Sequence, residues 1–332
     1  MMKALVTGAA GFVGSSLARR LVADGWDVVG IDSFTDYYSR DLKRINIASI
    51  PTDAFELVEA DLNSIDLDPI LQNSVDVVFH QAGQPGVRKS WGSEFQEYID
   101  ANIAATQRLL EASVKVGNLS RFVYASSSSV YGDALTYPTD ETHTPKPVSP
   151  YGVSKLAAEH LCTLYAHNFG LPAVSLRYFT VYGPGQRPDM AFTKFMTSAL
   201  GSMPIPVFGD GEQIRDFTFI TDVVDANVRA ATCNGVRPGA VFNVAGGGSI
   251  SVNETLKIIE ELHSKPLEIE YRDRVSGDVH RTGGSTELIR TTLNWSPAVS
   301  IEEGLSAQYE WARSLPSRIG GPASLGASVC RI

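Results

Sequence analysis

Cysteine is scarce in this 332-residue chain. Cys162, Cys233 and Cys330 are odd in number and far apart, so no disulfide framework and no metal-ligand spacing is expected, and a reducing cytoplasm fits. Basic residues are also in deficit: 28 Lys and Arg stand against 37 Asp and Glu, a net charge of -9. Nucleic acid binding draws on clustered Lys and Arg, so nucleic acid is not an expected partner and any bound anion must be held by individual arginines. No apolar run approaches the ~18 residues of a membrane span. The start, "MMKALVTGAAGF", runs from an apolar strand straight into a glycine loop without an A-x-A-like cleavage signal. A protein that is neither secreted nor membrane-spanning is therefore expected. Internal repeats are absent too, which leaves a globular chain, 43% hydrophobic and 20% charged, of one large domain or two smaller ones.

What is present is an alternation. "KALVTG", "DVVGID", "FELVEAD", "DVVFHQAG", "RFVYASSS" and "AVSLRYF" are short and almost continuously apolar, as parallel strands covered on both faces must be. Amphipathic segments at 12–24, 94–116 and 150–169 fall between them, which predicts an α/β fold: a doubly wound parallel sheet of the Rossmann type. After about residue 180, Pro and Gly punctuation ("VYGPGQRPDM", "GSMPIPVFGDGEQ") predicts a smaller C-terminal α/β substrate domain. The expected division is 1–179 for the nucleotide-binding domain, with returns to the sheet near 216–245, and 180–313 mainly for substrate. The Gly-, Ser- and Pro-rich segment 314–332 is expected to fray.

Chemistry concentrates at strand ends. Gly8, Gly11 and Gly14 in "VTGAAGFVG" permit a tight turn, close approach of backbone to a pyrophosphate, and a helix N-terminus aimed at it. Asp32 closes the next strand, where a carboxylate accepts hydrogen bonds from ribose hydroxyls and repels a 2'-phosphate, favouring NAD over NADP. Asp61 and Leu62, ending the third strand, are placed to flank the adenine. Tyr151 and Lys155 lie four apart at the start of a helix that Pro150 introduces, on one helix face. Alone this is an ordinary solvated pair. Downstream of a glycine loop, and with Ser126 to Ser129 closing the fifth strand, it reads as a base, an ammonium that with an oxidised nicotinamide lowers the phenol's pKa, and a hydroxyl partner.

Together, Gly8-x-x-Gly11-x-x-Gly14, the strand-end serines and Tyr151-x-x-x-Lys155 resemble the extended short-chain dehydrogenase/reductase family over roughly residues 2 to 312, in particular its NAD-dependent nucleotide-sugar epimerases. "RYFTVYGPGQRPDM" is most similar to the UDP-glucuronate 4-epimerase branch. The resemblance implies Ser127, Tyr151 and Lys155 as catalytic residues. It implies a cofactor site of Gly8, Gly11, Phe12, Val13, Asp32, Lys43, Asp61, Leu62, Gln81, Ala82, Tyr151, Lys155 and Tyr178, holding NAD. For a UDP-sugar it implies Arg88, Ser127, Ser128 and Thr180 near the sugar, Arg187 on its carboxylate, Arg215 and Arg274 on the pyrophosphate, and Val207 and Phe208 at the uracil. A homodimer through the 94–116 and 150–169 helices is implied as well.

Two features separate the branches. Relatives that dehydrate or decarboxylate the sugar carry an acid beside the strand-end hydroxyl, and "SSSSVYG" has hydroxyls alone. The family's UDP-glucose enzymes carry asparagine where Thr180 stands. The expectation is therefore 4-epimerisation of UDP-glucuronate through a 4-keto sugar, with UDP-glucose 4-epimerase and UDP-glucuronate decarboxylase as the alternatives.

Overall fold

The computed structural model describes residues 1–134, 136–273 and 281–315. Strands β1 (Lys3–Thr7), β2 (Asp27–Asp32), β3 (Phe55–Glu59), β4 (Val77–His80), β5 (Arg121–Ser127), β6 (Ala173–Tyr178) and, much later, β10 (Ala240–Val244) form one sheet in the order β3-β2-β1-β4-β5-β6-β10. Every pairing in it is parallel. Successive side chains point to opposite faces, so each strand feeds two cores. Ala4, Val6, Val77, Phe79 and Val123 enter one core, which the Phe12–Ala23 and Ile220–Thr232 helices cover. Leu5, Val78, Phe122 and Tyr124 enter the other, under the Ala105–Val116 and Pro150–Phe169 helices. That two-sided burial is why these strands are apolar at nearly every position. Strand order reverses between β1 and β4, which opens a crevice at their carboxyl ends.

Past Phe179 the architecture changes. Strands β7 (Thr180–Tyr182), β9 (Ile214–Phe219) and β11 (Ser249–Ser251) make a three-stranded sheet, and β8 (Ile205–Phe208) pairs with β12 (Ile269–Arg272). Of the two later segments read as returning to the main sheet, β10 does so beside β6, whereas β9 pairs with β7 and β11. Strand β9 nevertheless leads directly into the Ile220–Thr232 helix that covers the main sheet, so the chain crosses back through that helix.

The 94–116 segment is helical in three consecutive pieces, Phe95–Tyr98, a π-helical stretch at Ile99–Ala104, and Ala105–Val116. The wide turn carries Asn102, which is buried and bridges three groups: its amide accepts from Gln84 N–H at 2.7 Å and donates to Gln84 O and to Ser154 Oγ. A π-turn at such a place is a common way to re-aim one side chain. The Pro150–Phe169 helix has Ser149 as its N-cap, accepting from Gly152 N–H, and ends at Gly170 in the left-handed conformation (φ 68°).

Candidate active site

The crevice is a cleft of about 930 Å³ that runs from the glycine turn to Arg187. At its nucleotide end the β1-to-helix turn leaves no room for a side chain. Gly8 is left-handed (φ 68°), and a Cβ on Gly14 would lie 2.1 Å from Gly8 O. The Phe12–Ala23 helix begins there with no side-chain cap, so its first-turn N–H groups remain available to an anion. Asp32 at the end of β2 accepts from Ala10 N–H (3.0 Å) and Phe34 N–H (2.8 Å), with Lys43 Nζ at 3.6 Å. Phe12, Val13, Asp61, Leu62, Gln81 and Ala82 line the same end. Asp61 and Leu62 stand just beyond β3, which stops at Glu59. Tyr178 closes the floor, its hydroxyl 3.0 Å from Gln81 Oε1.

Midway along the cleft Ser127 ends β5, and Tyr151 and Lys155 project from the first turns of the Pro150–Phe169 helix. The Ser127 hydroxyl accepts from Ser129 N–H at 3.1 Å, and the Tyr151 ring meets Tyr98 edge-on. Lys155 Nζ lies 4.6 Å from the centre of the Tyr124 ring. Thr180, Ser128 and Arg187 border the far end. A smaller cavity of about 190 Å³ adjoins it, lined by Arg88, Ser128, Thr180, Arg215 and Thr282 among others. The Arg88 guanidinium sits 4.8 Å over the Phe208 ring, while Val207 is packed into the core and borders neither cavity. Arg274 lies outside the described residues.

Residues 4–245 match the model of the NAD dependent epimerase/dehydratase family. The chain belongs to that family. Among solved structures, the UDP-glucuronic acid 4-epimerase of Bacillus cereus, in complex with UDP-glucuronic acid and NAD, is 42% identical, with a TM-score of 0.92 over 95% of this chain and all of that one. A Bacillus subtilis protein named as an uncharacterized UDP-glucose epimerase is 40% identical over 95% of this chain and 99% of its own length. The UDP-glucuronate 4-epimerase of Thermodesulfobacterium geofontis is 35% identical over 93% of this chain and 95% of its own.

The electrostatics of this epimerase/dehydratase site add one contribution that the sequence did not suggest. Burial raises the Tyr151 phenol above its ordinary value, and what opposes it is hydrogen bonding with Ser127 and then the charge of Arg187. Lys155, assigned that lowering role from sequence together with an oxidised nicotinamide, is itself brought down to about 8 by burial, with the Glu159 carboxylate among the groups that oppose this. Thus a cation from the loop 36 positions on, Arg187, also favours the phenolate. Burial outweighs a neighbour when the side chain leaves water on every side.

Three groups around the site escaped sequence reasoning. Asp189 pairs with Arg187; Asn102 fixes the Gln84 turn; and Glu159 accepts from Ser126 (2.6 Å) and from both Nε and Nη2 of Arg177 (3.0 and 2.7 Å). Only Asp189 had a local signal, since in "RPDM" an acid follows the arginine by two residues with Pro between.

Proposed function

We propose that the protein is a UDP-glucuronate 4-epimerase, interconverting UDP-glucuronate and UDP-galacturonate. The observation that carries this reading is that Arg187 and Tyr151 border one cleft closely enough for the guanidinium charge to act on the phenol. A receptor for a carboxylate and a base for an adjacent hydroxyl therefore stand in one chamber. The Bacillus cereus relative, described with UDP-glucuronic acid and NAD, supports the assignment.

The nucleotide end fits NAD. A Cβ at Gly8, Gly11 or Gly14 would fall 2.8, 3.1 or 2.1 Å from a backbone atom, so the turn is shaped for close approach, and Asp32 meets a ribose where a 2'-phosphate would be repelled. NAD held at these residues would supply a reversible hydride acceptor for C4 of the sugar. The protein's residues do the rest. Tyr151 accepts the O4 proton and gives it back, and Ser127 orients that hydroxyl. Lys155 steadies the ribose. Arg187 with Thr180 holds the C5 carboxylate, which keeps the 4-keto acid from the perpendicular alignment that releases CO2. In the adjoining cavity Arg215 receives the diphosphate and Arg88 reaches toward the sugar, while Phe208, under Arg88, serves the uracil. Between the two half-reactions the keto sugar turns about its phosphate linkage. Because "SSSSVYG" supplies no second acid, nothing at the strand end abstracts a C5 proton.

Purified protein incubated with UDP-glucuronate and, separately, with UDP-glucose tests this: NMR should show UDP-galacturonate formed, and a protein that epimerises UDP-glucose alone would overturn it. We also read the protein as a C2 homodimer, since Val153, Leu164 and Phe169 on the Pro150–Phe169 helix are exposed apolar residues. A concentration-independent monomer in light scattering would refute that. The unpaired Cys162 and Cys233 suit a reducing cytoplasm.

A further inference from the structure

Arg187 does not meet the cleft as a bare cation. Its Nε donates to Asp189 Oδ1 at 2.9 Å and its Nη2 to Asp189 Oδ2 at 3.1 Å, a two-pronged pair. The turn Arg187–Met190 sets up this geometry. It is closed by Met190 N–H on Arg187 O at 3.2 Å, with Pro188 at its second position, where the fixed proline φ suits a turn. Asp189 Oδ2 is also 3.3 Å from the Tyr37 hydroxyl, contributed by the segment after β2. The Tyr37 hydroxyl lies close against Gly86, where a Cβ would fall 2.6 Å from it. Burial raises the Asp189 carboxyl, but Arg187, helped by the backbone and Lys194, brings it below its ordinary value, so the pair is ionised. Two of the guanidinium's three nitrogens are thus committed inside the protein, and its charge is balanced there.

We propose that Asp189, braced by Tyr37, is the positioning residue that sets how Arg187 receives an acidic sugar: it occupies the Nε edge of the fork so that a substrate carboxylate meets only the remaining edge, and it keeps binding from becoming too strong. This rests on the UDP-glucuronate reading above. A guanidinium fork binds carboxylates bidentately and tightly. Without Asp189 it would offer its Nε edge to the substrate, and an unbalanced buried charge would strengthen the attraction. The sugar would then be drawn toward the vacated Asp189 position and away from Tyr151. Selectivity for the carboxylate would rise in binding while turnover fell.

The test is Asp189→Asn with Asp189→Glu as the rescue, in full-length enzyme. Binding is read by calorimetry for UDP-glucuronate and UDP-glucose in the Tyr151→Phe background, and turnover of UDP-glucuronate is read in the Tyr151 protein. Asp189→Asn should tighten UDP-glucuronate binding about three- to tenfold, leave UDP-glucose binding within about twofold, and lower kcat about tenfold or more, with Asp189→Glu restoring much of the turnover. Should the Asp189→Asn protein fail to fold, Tyr37→Phe removes one brace and should shift the same quantities the same way by about twofold. Equal changes for both nucleotide sugars, or weaker binding of UDP-glucuronate, overturn the role of Asp189 while leaving the substrate assignment intact. A Tyr151 protein that does not turn over UDP-glucuronate overturns both.

Discussion

Midway along the cleft, Ser127, Tyr151 and Lys155 stand on a central strand and on the opening turns of a 20-residue helix; at its far end and in the adjoining cavity, Arg88, Arg187 and Arg215 stand on a 3-10 turn, a Pro-Gly loop and a strand of the small sheet. The first group is set by spacing along regular elements that are buried on both faces of the main sheet. The second is set by pairings between distant segments, such as Asp189 with Tyr37. On the proposed function the first group serves proton transfer, which needs the fixed geometry that rigid elements supply, and the second serves sugar recognition, on loops that can differ without disturbing the sheet. The contrast makes sharp expectations: changes in the first group should strike every substrate alike, and changes in the second should discriminate.

The largest effect belongs to Tyr151→Phe. It should preserve the fold and nucleotide-sugar binding and reduce turnover by roughly 100- to 10,000-fold, the usual range for a positioned general base. Stopped-time NMR assays measure it, and near-normal turnover would remove Tyr151 from its role. Next comes Arg187→Ala, which withdraws a charged hydrogen-bond donor worth about 1.5–3 kcal/mol, or roughly 10- to 100-fold in affinity. Calorimetry should find that weakening for UDP-glucuronate and a change within about threefold for UDP-glucose. Equal losses for both would erase the distinction between the two groups.

A smaller effect probes the floor of the sheet. His80 is fully buried between Thr7 Oγ1 (2.7 Å) and Thr106 Oγ1 (2.9 Å), and burial, with the charge of Lys155 adding to it, lowers its pKa to about 3 from an ordinary 6.5. A depressed folded-state value means the unfolded chain binds the proton first. The contribution is complete above pH 6.5 and declines as pH falls toward 3, by about 1.4 kcal/mol per unit. Urea denaturation at pH 6.5 and 5 should therefore show roughly 2 kcal/mol of loss from this source in the native protein, and a visibly flatter pH dependence in His80→Gln. Identical slopes in the two proteins would show that His80 is not held neutral by the fold.

Much of the nucleotide end was legible from residues near in sequence. A glycine turn between an apolar strand and a helix, an acid closing the next strand, and Tyr and Lys four apart after Ser-Pro each describe one short segment, and each stands where its local pattern placed it along the cleft. The arginines were harder, because an arginine in a loop carries no signal of what it faces. Val207 illustrates the limit: it belongs to an apolar stretch beside a turn, and the folded chain draws it into the core, leaving Phe208 to lie under Arg88. The contribution of Arg187 to the field at Tyr151 was out of reach for a related reason. Helical spacing puts two side chains on one face, but it does not say which of them is turned aside over Tyr124 or how far burial opposes both.

By itself, then, the sequence determined the parallel sheet, its crevice and the presence of Tyr151 and Lys155 together on a helix beside it, because hydrophobic period and i,i+4 spacing are properties of single segments. Tertiary structure alone decided that β9 leaves the main sheet while β10 joins it, that Glu159 holds Arg177 and Ser126, and that Arg187 reaches the cleft already bound to Asp189, which also accepts from Tyr37. The physical reason is the same for all three. A strand edge, a buried charge and a guanidinium fork each take whichever partner folding brings within hydrogen-bond distance, and for Tyr37 and Asp189 that partner is 152 residues away along the chain.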